Sequence, residues 1–198
     1  MPHILTLQGS PRRGGNTATV LRCFEDLATA AAFTLEHIEI GAAQIEGCRG
    51  CLACQKVWDE PGCRRKDQAL AIFERMRAAE LIVYATPLYC WSFTTQMKAL
   101  IDRHFCLVKW HAPGGRRSLL APLGRGQAGK RAALLVTCGD EIENNADVIQ
   151  TIFRREMDCL DVAVAGIYIL PGCPDTGHPG ERAAVLASRM AAELVGAA

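Results

Sequence analysis

The stretch Gly9-Ser10-Pro11-Arg12-Arg13-Gly14-Gly15-Asn16-Thr17 joins an alternating apolar run, Ile4-Leu5-Thr6-Leu7, to a segment of helical periodicity that begins near Thr17. A strand that turns through glycines straight into a helix leaves the first N–H groups of that helix without intrahelical acceptors, where the helix dipole favours negative charge. The side chains suit the same task. Ser10 and Thr17 bring hydroxyls, Asn16 an amide that donates or caps the helix, and Arg12 a fork matched to phosphate oxygens. The loop has neither the Gly-Lys-Ser/Thr ending of a P-loop nor the G-x-G-x-x-G of a dinucleotide turn. It reads as a seat for a terminal phosphate monoester, the plainer alternative being a glycine-rich strand-to-helix turn.

Strand and helix patterns alternate through the rest of the chain. Val20, Leu21, Phe24 and Leu27 recur at three- and four-residue spacing and define one buried helix face. Phe33 to Ile40 reads as a second strand whose mixed pattern places it near a sheet edge. Ala69 to Ala79 is a helix through Leu70, Ile72, Phe73 and Met76, and Leu81 to Ala85 is a continuous apolar run expected of a central strand covered on both faces. Thr86-Pro87 is expected to stop that strand, and Ser92 to cap a helix bearing Met97, Leu100 and Ile101. Arg131 to Thr137 is another central strand, Ile149 to Leu160 mark a helix, Val162 to Leu170 the last strand, and Leu186, Met190 and Leu194 a closing helix. The expected fold class is α/β, one domain over 1–198 with a parallel sheet of right-handed βαβ units covered by helices on both faces. Ligands of such a sheet bind outside the carboxyl ends of its strands, here at loops 9–17, 86–92 and 137–140.

With 198 residues, 49% of them apolar, the chain can bury one full core, and its net charge of +1 argues against a nucleic-acid binder working through bulk positive charge. A start that runs directly into a strand pattern, and the absence of an apolar run near membrane-spanning length, lead to the expectation of a cytoplasmic protein without membrane contact. Ten cysteines in a reducing compartment are then not a disulfide framework. Four of them, Cys48, Cys51, Cys54 and Cys63, fall within an aperiodic loop at about 44–66, where thiols at this spacing can converge on an iron-sulfur cluster or on zinc, or remain a metal-free loop. Cys23, Cys106, Cys159 and Cys173 read as small apolar fillers, and Cys90 and Cys138 as packing residues of the ligand loops.

The loop Thr86-Pro87-Leu88-Tyr89-Cys90-Trp91-Ser92 is short and aromatic, so its N–H groups are expected to meet the edge of a flat heterocycle and Tyr89 or Trp91 its face. Gly139, after Cys138, lets a backbone approach a ligand closely. A phosphate seat and a planar pocket together describe a phosphorylated planar cofactor, and flavin mononucleotide fits.

Gly9-Ser10-Pro11-Arg12 with Asn16-Thr17, Ala85-Thr86-Pro87-Leu88-Tyr89, and Met97-Lys98-Ala99-Leu100-Ile101-Asp102-Arg103 resemble the flavodoxin-like NADPH-dependent FMN reductase superfamily over nearly the whole chain. The resemblance implies a three-layer sandwich around a five-stranded parallel sheet of order 2-1-3-4-5. It implies that Ser10, Arg12, Asn16 and Thr17 hold the FMN phosphate, that Pro87, Leu88, Tyr89, Cys90, Trp91 and Ser92 line the isoalloxazine, and that Cys138 and Gly139 close its other side. The implied function is NAD(P)H oxidation through bound FMN to a small acceptor such as a quinone or flavin, with no protein acid or base assigned. Members are commonly homodimers or homotetramers, and the long insertion at about 105–129, with Trp110 and His111, is the expected contact or lid. The order Cys48, Cys51, Cys54, Cys63 resembles the iron-sulfur flavoproteins, which implies the alternative of an electron carrier with a [4Fe-4S] cluster and a redox-protein partner.

Overall fold

The computed structural model describes residues 3–110, 118–119, 129–173 and 179–196, with the backbone alone at 118–119. Among them β1 (His3–Gln8), β2 (Thr34–Glu39), β3 (Leu81–Pro87), β4 (Arg131–Thr137) and β5 (Ala163–Leu170) form one sheet in the order 2-1-3-4-5, every pairing parallel. The helices α1 (Asn16–Ala30), α2 (Ala69–Ala78), α3 (Thr95–Arg103), α4 (Asp147–Cys159) and α5 (Glu181–Val195) cross between or follow these strands.

The side-chain alternation of the strands builds two cores. Leu5, Leu7, Ile82, Tyr84, Leu134 and Val136 meet Phe73, Met76, Leu100, Phe153 and Met157 of α2, α3 and α4. Ile4, Val83, Ala85, Ala133 and Leu135 meet Val20, Leu21, Phe24, Ala187, Met190 and Leu194 of α1 and α5 on the other face. Burial on both faces is why β3 and β4 read as unbroken apolar runs, whereas the edge strand β2 is only partly covered, as its mixed pattern implies. The chain leaves β1 toward β2 on one side and reaches β3 on the other, so the topological switch falls between β1 and β3.

Three local expectations are corrected. β3 does not stop before its proline: it runs through Thr86 to Pro87, which pairs with Thr137 at the last rung, where a missing N–H costs nothing. Ser92 does not cap α3. Residues 89–92 are used in a tight turn, and Thr94 is the cap, its hydroxyl accepting from Met97 N at 3.4 Å. At α1 the N-cap is Gly15 rather than Asn16, which is the first helical residue. After α3, residues His104–Leu107 continue as a tighter helical turn and Val108–Lys109 pairs antiparallel with Ser118–Leu119. Within the expected insertion, His111 and the rest of 111–117 and 120–128 lie outside the described residues.

Candidate functional site

The 9–17 loop is held from three sides. Gly9 N donates to Ala85 O of β3 at 2.7 Å, and the Thr94 hydroxyl donates to Gly9 O at 2.7 Å. Behind the loop, the turn after β2 approaches so closely that a Cβ on Gly41 would lie 2.2 Å from Ser10 O. Inside it, the Ser10 hydroxyl accepts from Arg12 N at 3.2 Å, and Gly15 N donates to Arg12 O at 3.1 Å. The start of α1 carries no side-chain cap and no acidic residue in its first turn. Its first N–H groups therefore face the loop's interior without an anion of the protein's own.

This loop opens into a cavity of about 190 Å³ lined by Ser10, Arg12, Gly15, Asn16, Thr17, Pro87, Leu88, Tyr89, Thr137, Cys138, Gly139 and Cys173. All three loops expected at the strand ends meet there. The Thr17 and Thr137 hydroxyls bond to each other at 2.7 Å and tie α1 to the end of β4. Cys138 N donates to Leu170 O and Cys173 N to Cys138 O, which seats Cys173 on the same wall. Burial, followed by neighbouring Cys173, Asp140 and Glu141, pushes the Cys138 thiol up to about 11. Burial likewise raises Cys173, so both stand as neutral thiols near neutral pH.

Cys90, Trp91 and Ser92 are not on that cavity. Cys90 and Trp91 hold positive φ of 46° and 61° at the centre of a turn closed by reciprocal Tyr89 and Ser92 backbone bonds of 3.0 Å. That conformation, strained for residues with a Cβ, turns Cys90 and Trp91 onto an adjoining cleft of about 500 Å³ with Asp140, Glu143, Asn144 and Asn145. The amides of Leu88, Tyr89 and Ser92 are engaged with Thr137 O, Ser92 O and Tyr89 O. The N–H groups expected to face a heterocycle are thus largely consumed by the fold, and the amides of Cys90 and Trp91 take no part in these bonds.

The cysteine loop forms a second concavity. Cys48, Cys51, Cys54 and Cys63, joined by Cys106, ring a cavity of about 250 Å³ whose wall also includes Arg65 and Arg103. Among the described residues no three His, Cys, Asp or Glu side chains gather closely enough to hold a metal ion. Left-handed backbone at Gly50 and Leu52 bends the loop, and Gly50 N donates to Cys48 Sγ at 3.4 Å. Gln55 stitches it to the residues after α3, donating to Val108 O at 2.9 Å and accepting from Trp110 N at 3.0 Å. Buried Lys109 donates to the carbonyls of Cys54, Glu60, Pro61 and Cys106. Cys106 is buried in the core, as a small apolar filler would be, and also forms part of this wall; burial, then Cys63 and Cys54, pushes its thiol up to about 12.

Residues 2–162 match the family model described as NADPH-dependent FMN reductase. The chain belongs to this family. An iron-sulfur flavoprotein of Methanosarcina thermophila is 33% identical over 104 residues, covering 52% of this chain and 53% of that protein. One from Archaeoglobus fulgidus is 33% identical over 100 residues, covering 50% and 47%. The chain thus spans about half the length of the curated relatives it matches. In structure it is similar to the NAD(P)H:quinone oxidoreductase from Methanothermobacter marburgensis, with TM-score 0.74, 16% identity and 98% of each chain covered. It is also similar to an FMN-dependent NADH-azoreductase from Bacillus anthracis in complex with FMN, with TM-score 0.64, 17% identity and 96% and 100% coverage. At these identities the two solved structures establish the flavodoxin-like fold.

For a member of the FMN reductase family, the strand-end cavity gathers most of the residues read from the sequence: Ser10, Arg12, Asn16, Thr17, Pro87, Leu88, Tyr89, Cys138 and Gly139. Sequence reasoning placed Thr137 at the start of a ligand loop without giving it a role, and missed Cys173 on that wall, Thr94 beneath the loop, and Cys106 in the cysteine cavity. Thr137 was legible as the last residue of a strand that ends at the ligand crevice. The others carry no local signal, because each is placed by an element distant in the chain.

Proposed function

We propose that the chain is an FMN-dependent oxidoreductase that takes electrons from NAD(P)H and passes them to a small acceptor such as a quinone or a flavin. The observation that carries this reading is the single cavity at the β1/β3 switch, where the uncapped start of α1 and all three strand-end loops converge. The residues fit the cofactor. Ser10, Arg12, Asn16 and Thr17 would hold the phosphate through hydroxyl, guanidinium, amide and helix-start N–H donors. Pro87, Leu88, Tyr89, Cys138 and Gly139 would line the ring, with Cys90, Trp91 and Ser92 shaping its outer rim. FMN, when bound, would supply the redox chemistry that links NAD(P)H to the acceptor. The protein's part is to orient two flat rings and exclude water between them, with exposed Tyr89 and Trp91 offered to the incoming partner. Around that site we place one domain over 1–198, a cytoplasmic setting, no nucleic-acid partner, and a homodimer or homotetramer. No helix among the described residues is long and apolar enough to cross a membrane.

The cysteine cavity favours a second reading, an electron carrier in which Cys48, Cys51, Cys54 and Cys63 hold a [4Fe-4S] cluster and a redox protein is the partner. Its support is that these four cysteines line one cavity. Protein purified without oxygen, examined by absorption and by iron and sulfide counts, separates the two. Flavin bands without iron support the reductase alone, and about four irons per chain support the carrier. Arg12→Ala and Asn16→Ala are expected to weaken FMN retention; binding as tight as wild type in both overturns the phosphate assignment.

A further inference from the structure

Arg103, the last residue of α3, is almost wholly buried at 1% exposure and forms part of the cysteine cavity's wall. Its Nη1 donates to Asp67 Oδ2 at 2.7 Å and to Glu46 O at 2.9 Å. Its Nε and Nη2 are buried without a nitrogen or oxygen partner, and the Cys63 thiol is the group of the cavity that the guanidinium reaches. Arg65 repeats the pattern on the same wall, its guanidinium paired with Glu46 while its Nε is buried without a partner. A buried guanidinium with idle donors is costly, because the lost hydration of a charged group goes uncompensated.

The charges point the same way. Lys109 directs its ammonium at four backbone carbonyls around Cys54 and Cys106. The cavity wall thus combines cysteines with Arg65 and Arg103, each paired with a carboxylate through one guanidinium nitrogen, and the donors left over suit an anion held by thiolates.

We infer that Arg103 donates through its idle Nε and Nη2 to an anionic, thiolate-held iron-sulfur cluster in this cavity, and that it stabilises the cluster's reduced state. The inference rests on the second reading above and adds to it a residue that sets the potential. A cationic donor lowers the free energy of the more negative redox state, so its loss makes the cluster harder to reduce. Asp67, on the far side of the guanidinium, has the opposite sign: with its charge removed, Arg103 acts on the cluster unopposed.

The test is an EPR-monitored redox titration of the full chain, with iron and sulfide counted on the same samples. Arg103→Gln is expected to weaken reduction at least tenfold, a fall of 59 mV for a one-electron couple. Arg103→Lys, which keeps the charge but not the paired donors, should fall between that variant and wild type. Asp67→Asn, which keeps one acceptor oxygen where the carboxylate serves Glu46 N with one oxygen and Ala69 N with the other, should raise the potential, and it carries the test if the Arg103 variants do not fold. Wild-type protein without iron overturns the cluster reading itself. A full cluster whose potential is unmoved by Arg103→Gln, or unmoved or lowered by Asp67→Asn, overturns the role of Arg103 and leaves the cluster standing.

Discussion

Gly41→Ala tests whether the phosphate loop is held in shape from behind. Gly41 is not in the left-handed region, so an alanine there meets no backbone penalty of its own. Its Cβ would nevertheless sit 2.2 Å from Ser10 O, 2.7 Å from Ser10 C and 3.1 Å from Pro11 Cα. All three are backbone atoms, so no side chain can rotate away, and the loop or the turn after β2 must retreat by about 1 Å to restore an ordinary carbon–oxygen contact. The loop is the less free to yield on its far side, because Gly9 is bonded at 2.7 Å to both Ala85 O and the Thr94 hydroxyl. Overpacking of this kind costs about 1–3 kcal/mol. If half of that falls on the loop's binding conformation, FMN affinity drops about tenfold for each 1.4 kcal/mol so lost. The assay is FMN binding by fluorescence quenching, beside the melting temperature of the flavin-free protein, which should fall by about 2–4 °C per kcal/mol for a chain of this size. Gly47→Ala is the control, since a Cβ there meets nothing within 4 Å. A Gly41→Ala protein that binds FMN and melts like wild type would refute the close approach and the support it gives to Ser10.

The buried Thr17 and Thr137 hydroxyls should behave as a coupled pair. Thr137→Val strands the Thr17 hydroxyl and should cost about 1–3 kcal/mol, whereas the double Thr17→Val/Thr137→Val protein should recover much of it, and strict additivity in a denaturation cycle would refute the bond. His37 is bonded to Glu25 at 2.7 Å, and that hydrogen bond, opposed by burial, raises its pKa above the ordinary 6.5. Because the folded value lies above the unfolded one, the pair's contribution is fully present below about pH 6.5 and is lost as the pH rises through the folded value. Urea unfolding of wild type and His37→Gln should therefore show a stability difference that shrinks from acidic toward alkaline pH, and a difference constant with pH would sink the assignment.

The fold was legible because its signals are local. Leu81 to Ala85 and Arg131 to Thr137 lack alternation because helices cover both their faces, and Val20, Leu21, Phe24 and Leu27 recur at the period of one helix face. The errors were local competitions that tertiary context settled. Pro87 stayed in its strand because the last rung needs no N–H, and Ser92 lost the cap to Thr94 because a strained two-residue turn used it first.

The sequence by itself determined an α/β chain with a parallel sheet, a phosphate-seat loop after the first strand, and a cysteine run set apart from the periodic elements. Only the tertiary structure decided which residues share a wall. It brought Thr137 and Cys173 to the loop of β1, set Thr94 beneath Gly9, and put Arg103 and Cys106 on one cavity wall with cysteines forty or more positions earlier in the chain. The division follows from range: periodicity records which face of one element is buried, while a cavity exists only where several elements, distant in the chain, are packed against one another.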